Sequence, residues 1–202
     1  MSEVTQITDP ASWAQAATIE LRKIAENVAT ASTPQLLGVE QLEFKKLAET
    51  AGAAIDRLTL NGKIDRDRCI YVITLDDDAD PEALQNTFAD TKKLSDLKLP
   101  QPNHNLSKTM YVGSSCATHK RAGTLRNRLR QHLIKAPKGT YALSLASWAS
   151  ELEGGLLLRA WQYPAAGEGE EGDAMARTIV LAIEDWLSGE LKPMLGRRGS
   201  RH

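Results

Sequence analysis

Three short apolar runs, separated by longer segments with helical periodicity, constrain what this 202-residue chain can fold into. Residues 69–75 read CIYVITL, residues 108–115 read KTMYVGSS and residues 155–164 read GLLLRAWQYP. These runs have the length and the apolar or β-branched content of strands, and turn-forming residues flank them. We therefore predict a small sheet of about three strands with helices around it, in an α+β or mixed arrangement.

Helical patterns account for most of the remaining chain. Apolar residues recur at helical spacing over 10–30, about 35–59, 80–97, 123–136 and 173–195, and less clearly over 140–152. Pro193 and Gly196 are suited to end the last helix. We predict an N-terminal helical region over residues 1–65, without visible chemistry, and a second domain over residues 66–202.

The composition excludes several classes of protein. Hydrophobic residues make up 42% and charged residues 25% of the chain, and no apolar run is long enough for a membrane span. The first ten residues lack a basic region followed by an apolar one, so we expect no signal peptide and a cytoplasmic location. Cys69 and Cys116 form no CxxC pair, and we expect both to be reduced thiols.

Charge is strongly segregated, although the formal net charge is only −1. Residues 97–150 contain no Asp or Glu, while acids collect in LDDDADPE (75–82) and GEGEEGD (167–173). The basic residues of the acid-free segment are Lys98, Lys108, Lys120, Arg121, Arg126, Arg128, Arg130, Lys135 and Lys138. One basic face of this kind favours a polyanionic partner such as DNA, with a solvated helix face as the alternative.

Four motifs occur in a fixed order along the second domain. Two strands carry Cys69-Ile70-Tyr71 and Tyr111-Val112-Gly113, and the next helix carries Arg128 within LRNRL, with His132 four residues later. The last helix carries Glu184, with Pro193 nine residues later. This order and these spacings resemble the GIY-YIG nuclease superfamily, and the resemblance covers residues 69–200.

The resemblance implies a fold and an activity. The fold is α+β, with a small three-stranded antiparallel sheet flanked by helices and, in this chain, an N-terminal helical appendage. The activity is that of a metal-dependent endonuclease, which hydrolyses phosphodiester bonds in DNA with Mg²⁺ or Mn²⁺ as cofactor. The residues implied in catalysis are Tyr71, Tyr111, Arg128, His132 and Glu184.

Each implied role suits the chemistry of its side chain. Glu184 would bind the metal, and its place in the apolar run TIVLAIEDWL also calls for a partner to the carboxylate. Arg128 would hold the scissile phosphate through its planar fork of donors. Tyr71 would deprotonate or orient the attacking water, Tyr111 would hydrogen-bond the water or a phosphate oxygen, and His132 would share the base role or bind phosphate.

A phenol with a pKa near 10 is a poor base, so we expect Arg128, His132 and the metal to lower the pKa of Tyr71. Further residues are expected to contact nucleic acid because they are basic, or because they form the turn at the end of the second strand. These are Gly113, Ser114, Lys120, Arg121, Arg126, Arg130, Lys135, Arg197 and Arg198.

The chain departs from the family pattern at three places. Cys69 stands where the first motif usually has Gly, and residues 76–108 replace a short hairpin with an inserted helix and loop. Gly196 stands where many members have Asn, twelve residues after the Glu. We expect Arg197 and Arg198 to contact phosphate in place of that amide.

Two other functions fit the same residues. One is a catalytically weak or inactive DNA-binding protein of the same fold. The other is a nuclease effector subunit, docked to a protein partner through the N-terminal helices. Restriction, phage defence and repair all suit such a nuclease, and the sequence does not decide whether it forms a homodimer.

Overall fold

A computed structural model describes residues 34–62, 68–103, 105–116, 123–163 and 169–196, with isolated helical positions at 15, 18, 19, 22, 23 and 26. The rest of the predicted helix over 10–30 lies outside the described residues. None of the helices within these ranges is long and apolar enough to cross a membrane.

The described residues contain a four-stranded antiparallel sheet, one strand more than predicted. Its strands are β1 (Gln35–Glu43), β2 (Arg68–Leu75), β3 (Thr109–Cys116) and β4 (Gly155–Gln162). The order across the sheet is β1-β4-β2-β3, and each neighbouring pair is antiparallel. The α+β class is therefore confirmed, whereas the strand count of three is wrong.

The additional strand, β1, lies where the beginning of a helix over 35–59 was predicted. The helix itself, α1, is confined to Leu47–Leu58. In β1 every second residue faces α1: Gly38 lies against Leu58, Glu40 accepts two hydrogen bonds from Arg57, and Leu42 is buried. This period of two defines a strand, so β1 and α1 belong to the sheet and its core rather than to an all-helical appendage.

Three further helices match the predicted positions. They are α2 (Pro81–Leu94), α3 (Leu125–Leu133) and α4 (Gly169–Leu191). The Asp80 side chain caps α2 by accepting from the Glu82 backbone N–H, and Thr124 caps α3 in the same way through Asn127. The helix predicted over 140–152 is wrong: only Leu145–Ser147 forms a single 3₁₀ turn, and Ser144 before it is left-handed with φ 49°.

The central strand β2 is covered on both faces, and this decides where its side chains point. Tyr71, with Cys69, Ile73 and Leu75, belongs to the core cluster that includes the buried faces of α1 and α3. Ile70 and Val72 are also buried but lie outside that cluster, beside residues of α4. The edge strand next to β2 is β3, so side chains from opposite faces of the sheet can meet around that edge.

The segment after α4 runs along the beginning of β3. The backbone N–H groups of Met194 and Leu195 donate to the carbonyl oxygens of Thr109 and Met110, at 2.9 and 3.0 Å. The Gly196 N–H donates to the Gln101 carbonyl at 3.0 Å. This segment therefore ties the loop before β3 to the strand edge.

Candidate active site

Gly113 makes room for a tyrosine that belongs to the neighbouring strand. Tyr71 in β2 pairs with Gly113 in β3. A Cβ atom at position 113 would lie 2.8 Å from the Tyr111 ring and still closer to the Tyr71 hydroxyl oxygen. Because glycine has no Cβ, the Tyr71 side chain can lie across β3 with its hydroxyl over the backbone of that edge strand.

Tyr71, Tyr111 and His132 form a cluster of three rings, which we call the aromatic cluster. The ring centroids of Tyr71 and Tyr111 are 6.3 Å apart and nearly parallel. The His132 ring lies 5.8 Å from Tyr71 and 4.5 Å from Tyr111, tilted against both. Two of the four sequence motifs and the histidine of a third thus meet at one place.

His132 is buried and neutral. Its side chain is only 1% exposed, and burial, helped by the Arg128 charge, lowers its pKa from 6.5 to about 3. Its Nδ1 accepts a hydrogen bond from the Leu143 backbone N–H at 3.3 Å, which places the ring proton on Nε2. The Nε2–H of His132 is therefore a donor beside the tyrosines. Because His132 does not line the cleft, it is not placed as the base or phosphate ligand that we expected.

Tyr71 keeps its proton at neutral pH. Burial raises the pKa of Tyr71 well above its usual value, and Tyr111 and Glu184 add to the rise, while Arg128 acts against it. The buried hydroxyl lies beside the Arg128 guanidinium, whose charge and N–H groups favour the phenolate. Arg128 thus lowers the pKa of Tyr71 as expected, but burial outweighs it, so the expected net lowering is wrong for the protein alone.

A cleft of about 430 Å³ opens along β3, between α3 and α4. Its lining residues are Tyr111, Ser114, Ser115, Cys116, Gly123, Arg128, Arg177, Leu181 and Glu184. Tyr111 and Arg128 reach it from the face of the sheet that α3 covers, and Glu184 reaches it from α4. Three of the residues that the sequence placed in one site thus line one cleft.

Glu184 occupies the packed side of α4. It continues a row of buried residues at four-residue spacing, between Val180 and Ser188. The Ser114 hydroxyl donates a hydrogen bond to its Oε2 at 2.5 Å. The predicted need for a partner to the carboxylate is thus met by a strand hydroxyl. Leu181 and Leu191 of the same helix are each more than one third exposed.

Arg128 supplies the positive charge of the cleft from α3. Burial acts to lower its pKa, but Tyr71, Tyr111 and Glu184 raise the pKa above its usual value, so the guanidinium stays protonated. Its side chain is partly buried and reaches the same cleft as Glu184. A fixed, protonated guanidinium opposite a carboxylate suits a phosphate that is bound together with a cation.

The donor set fits one kind of metal site. No group of three or more His, Cys, Asp or Glu side chains that could hold a metal occurs in the described part of the chain. The cleft instead offers the Glu184 carboxylate and the Ser114 hydroxyl, both hard oxygen donors. Mg²⁺ is commonly held by one or two carboxylates, waters and substrate phosphates, so these residues fit Mg²⁺ or Mn²⁺ shared with a substrate.

The other residues expected to contact nucleic acid are distributed over several places. Ser114 lines the cleft, whereas Arg126 forms an ion pair with Asp56 of α1 at 2.6 Å. Arg130 and Lys135 are exposed on and after α3, away from the cleft lining. Four of the predicted residues lie outside the described residues: Lys120, Arg121, Arg197 and Arg198.

Arg177 is a cleft residue that the sequence reasoning missed. It lies seven residues before Glu184 on α4, which is two helical turns, and lines the cleft on the same side. That spacing is visible in the sequence, but Arg177 lies outside the acid-free segment 97–150 from which the basic candidates were chosen. The cleft therefore holds two guanidinium groups, Arg128 and Arg177.

Gly196, the last of the three positions at which the chain departs from the expected motif pattern, packs against the site. It has a φ of 92°, and a Cβ atom there would lie 2.6 Å from the Tyr111 ring. A side chain at this position would thus require both Tyr111 and the backbone to move. Glycine at position 196 thus leaves the space that the Tyr111 ring occupies.

Comparisons of the chain with protein-family models, with curated proteins and with solved structures find no match.

Proposed function

We propose that this protein is a metal-dependent endonuclease of the GIY-YIG type, which hydrolyses phosphodiester bonds in DNA. The observation that carries the proposal is the single cleft lined by Tyr111, Arg128 and Glu184, which come from three different elements. Each of the three was selected from the sequence through its resemblance to the GIY-YIG motifs. A guanidinium, a carboxylate that can hold a metal and a phenol around one opening can together supply the charge neutralisation and the oriented water that phosphodiester hydrolysis requires.

In this proposal Arg128 and Glu184 have different roles: Arg128 binds the phosphate, and Glu184 binds the metal. Arg128 binds two oxygens of the scissile phosphate and offsets the charge that develops on them. Glu184 holds Mg²⁺ or Mn²⁺, and the Ser114 hydroxyl fixes the orientation of the carboxylate. The metal, when bound, supplies further charge neutralisation and an acidified water.

The tyrosines act by position. Tyr71 is buried and protonated at neutral pH, so it serves as a supporting residue: its hydroxyl lies beside Arg128 and helps to hold the guanidinium in the cleft. Tyr111 lines the cleft and orients the attacking water or a phosphate oxygen. His132 packs against both rings and holds them, which makes it a positioning residue.

Plasmid nicking tests the proposal. We expect the wild type to nick supercoiled DNA in Mg²⁺ or Mn²⁺ and to be inactive in a chelator. Glu184→Gln and Arg128→Lys should each lower the rate by about 100-fold or more, because each removes a contact to the charged transition state. Glu190→Gln, an exposed change on the same helix, is the control and should nick at the wild-type rate.

Nicking that persists at the wild-type rate in both Glu184→Gln and Arg128→Lys would show that the cleft is not the active site. Loss of nicking in Glu190→Gln as well would point to a damaged helix instead of a lost ligand.

A DNA-binding protein without activity is the second candidate. The observation that favours it is the buried Tyr71 hydroxyl with a raised pKa, which is a poor base. Duplex DNA that is bound but left intact in both Mg²⁺ and Mn²⁺ would support this candidate. The third function, an effector subunit docked through the N-terminal helices, stays a prediction that a stable complex mapped to residues 1–60 would support.

A further inference from the structure

A second groove lies between the loop after α2 and the loop after α3. It consists of two adjoining cavities of about 610 and 240 Å³, which share Lys98 and Lys138 in their linings. Lys135 lines the smaller cavity and Tyr141 the larger one. We call this feature the basic groove and define it by Lys98, Lys135, Lys138 and Tyr141.

The side chains of the basic groove are available to a ligand. Lys98, Lys135 and Lys138 are exposed, and none of them forms an ion pair with a described carboxylate. A fourth lysine of the lining, Lys92, is half-buried and donates to the carbonyl oxygens of Leu99 and Pro100. Asp96 is the one acidic residue among the described residues that line it. Tyr141 is 64% exposed, which leaves much of an aromatic ring open to solvent. Lysines around an open aromatic ring suit a polyanion with flat groups.

Backbone hydrogen bonds fix the shape of the groove. The Ala142 N–H donates to the Lys98 carbonyl at 3.1 Å, so the two walls are joined beside Tyr141. The Ala136 N–H donates to the Ser144 hydroxyl at 3.2 Å, which closes the loop that carries Lys138 and Tyr141. Hydrogen bonds between and within the two loops thus hold the groove in its shape.

The basic groove is connected to the candidate cleft at two points. The Leu143 N–H, two residues after Tyr141, donates to Nδ1 of His132, whose ring packs on Tyr111. On the other side, Gly196 packs on Tyr111 and donates its N–H to the carbonyl of Gln101, which lines the groove. Tyr111 itself lines the cleft, so His132 on one side and Gly196 on the other each join the groove to a residue of the cleft.

We propose that the basic groove holds an unpaired DNA strand that extends from the candidate cleft. Lys98, Lys135 and Lys138 contact its phosphates, and Tyr141 stacks on a base. A base within a duplex has both faces covered by its neighbours, so an exposed ring favours single-stranded DNA. The inference rests on the proposed function, because it makes duplex DNA with a single-stranded extension the preferred substrate.

The first test measures binding without cleavage. Wild type and variants are titrated into a fluorescein-labelled 20-nucleotide strand and into the corresponding duplex, in a chelator. The triple change of Lys98, Lys135 and Lys138 to Ala should weaken single-strand binding at least tenfold. It should also reduce the salt dependence of log K by about 2, since each lost phosphate contact removes about 0.7. Tyr141→Ala should weaken binding about tenfold, and Tyr141→Phe should bind as the wild type does.

The control variant matches the charge. Lys45, Lys46 and Lys108 are each engaged in an ion pair, so their replacement by Ala changes the net charge equally without touching the groove. This control should weaken binding less than twofold. Equal weakening by both triple variants, or an unchanged affinity of Tyr141→Ala, overturns the proposal. So does a loss of duplex binding as large as the loss of single-strand binding.

A cleavage assay separates this inference from the proposed function. The groove variants should cut a duplex with a 20-nucleotide extension at least tenfold more slowly than the wild type, and a blunt duplex at the same rate. Single-strand binding through the groove without any cleavage refutes the endonuclease and supports the groove. Cleavage by groove variants that is unchanged on both substrates refutes the groove and supports the endonuclease.

Discussion

At the scale of single residues, the protonation of His132 has the clearest consequence. The unfolded chain binds a proton at this histidine below pH 6.5, whereas the folded protein does so only near pH 3. Because the pKa of His132 is lower in the folded state than in the unfolded state, its contribution to stability is complete above pH 6.5. That contribution is lost as the pH falls from 6.5 toward 3. The loss is about 1.4 kcal/mol for each pH unit in this window.

We therefore predict that His132 makes folding acid-sensitive. Between pH 7 and pH 5 it should cost the wild type about 2 kcal/mol of unfolding free energy relative to His132→Gln, which has no titrating group. Urea denaturation of both proteins at the two pH values measures the difference. Parallel losses in the two proteins would show that His132 has the same pKa in the folded and the unfolded state, which contradicts its burial as a neutral group.

The residue scale also shows how far the site could be predicted from the sequence. The resemblance to the GIY-YIG motifs led to the choice of Arg128 and Glu184 as residues of one site, and both line the same cleft. The pKa directions of Tyr71 and His132 were not predictable, since both follow from burial that the sequence does not state. Arg177 was missed because its signal lies in helix spacing and not in charge density.

At the scale of elements, strands and helices with strong periodicity were predicted close to their observed positions. Residues 69–75 and 108–115 match β2 and β3 within one residue at either end. β1 was missed because the helical spacing of Leu47, Ala51, Ile55 and Leu58 was extended backwards over a segment with a period of two. Pairing with β4, about 120 residues away in sequence, is a tertiary effect that local pattern cannot show.

The edge strand β3 depends on a missing side chain. We predict that Gly113→Ala destabilises the protein by about 1–3 kcal/mol, because the new methyl group meets the Tyr71 and Tyr111 rings. Chemical denaturation measures the change. Gly52→Ala is the matched control: nothing lies within 4 Å of its Cβ position on α1, so it should stabilise the protein by up to about 1 kcal/mol.

A Gly113→Ala variant as stable as the wild type would mean that Tyr71 does not cross β3 at this position. Destabilisation by Gly52→Ala would instead mean that α1 packs differently around that residue.

At the scale of the whole molecule, folding separates the basic residues of the acid-free segment into several groups, which the sequence does not show. Within residues 97–150, Lys108 and Arg126 are engaged by Asp77 and Asp56, which come from outside that stretch. Arg128 turns into the cleft, and Lys98, Lys135 and Lys138 line the basic groove. A segment that resembles one uniform basic face is thus divided into paired, cleft and groove residues.

The central claim is that Arg128 and Glu184 act on the same phosphate from opposite sides of one cleft. A double-mutant cycle on single-turnover DNA cleavage in Mg²⁺ tests it most directly, with Arg128→Lys, Glu184→Gln and the double variant measured against the wild type. We predict strong coupling, so that the double variant is about as slow as the slower single variant. Losses that multiply, as expected for two independent sites, would contradict the claim.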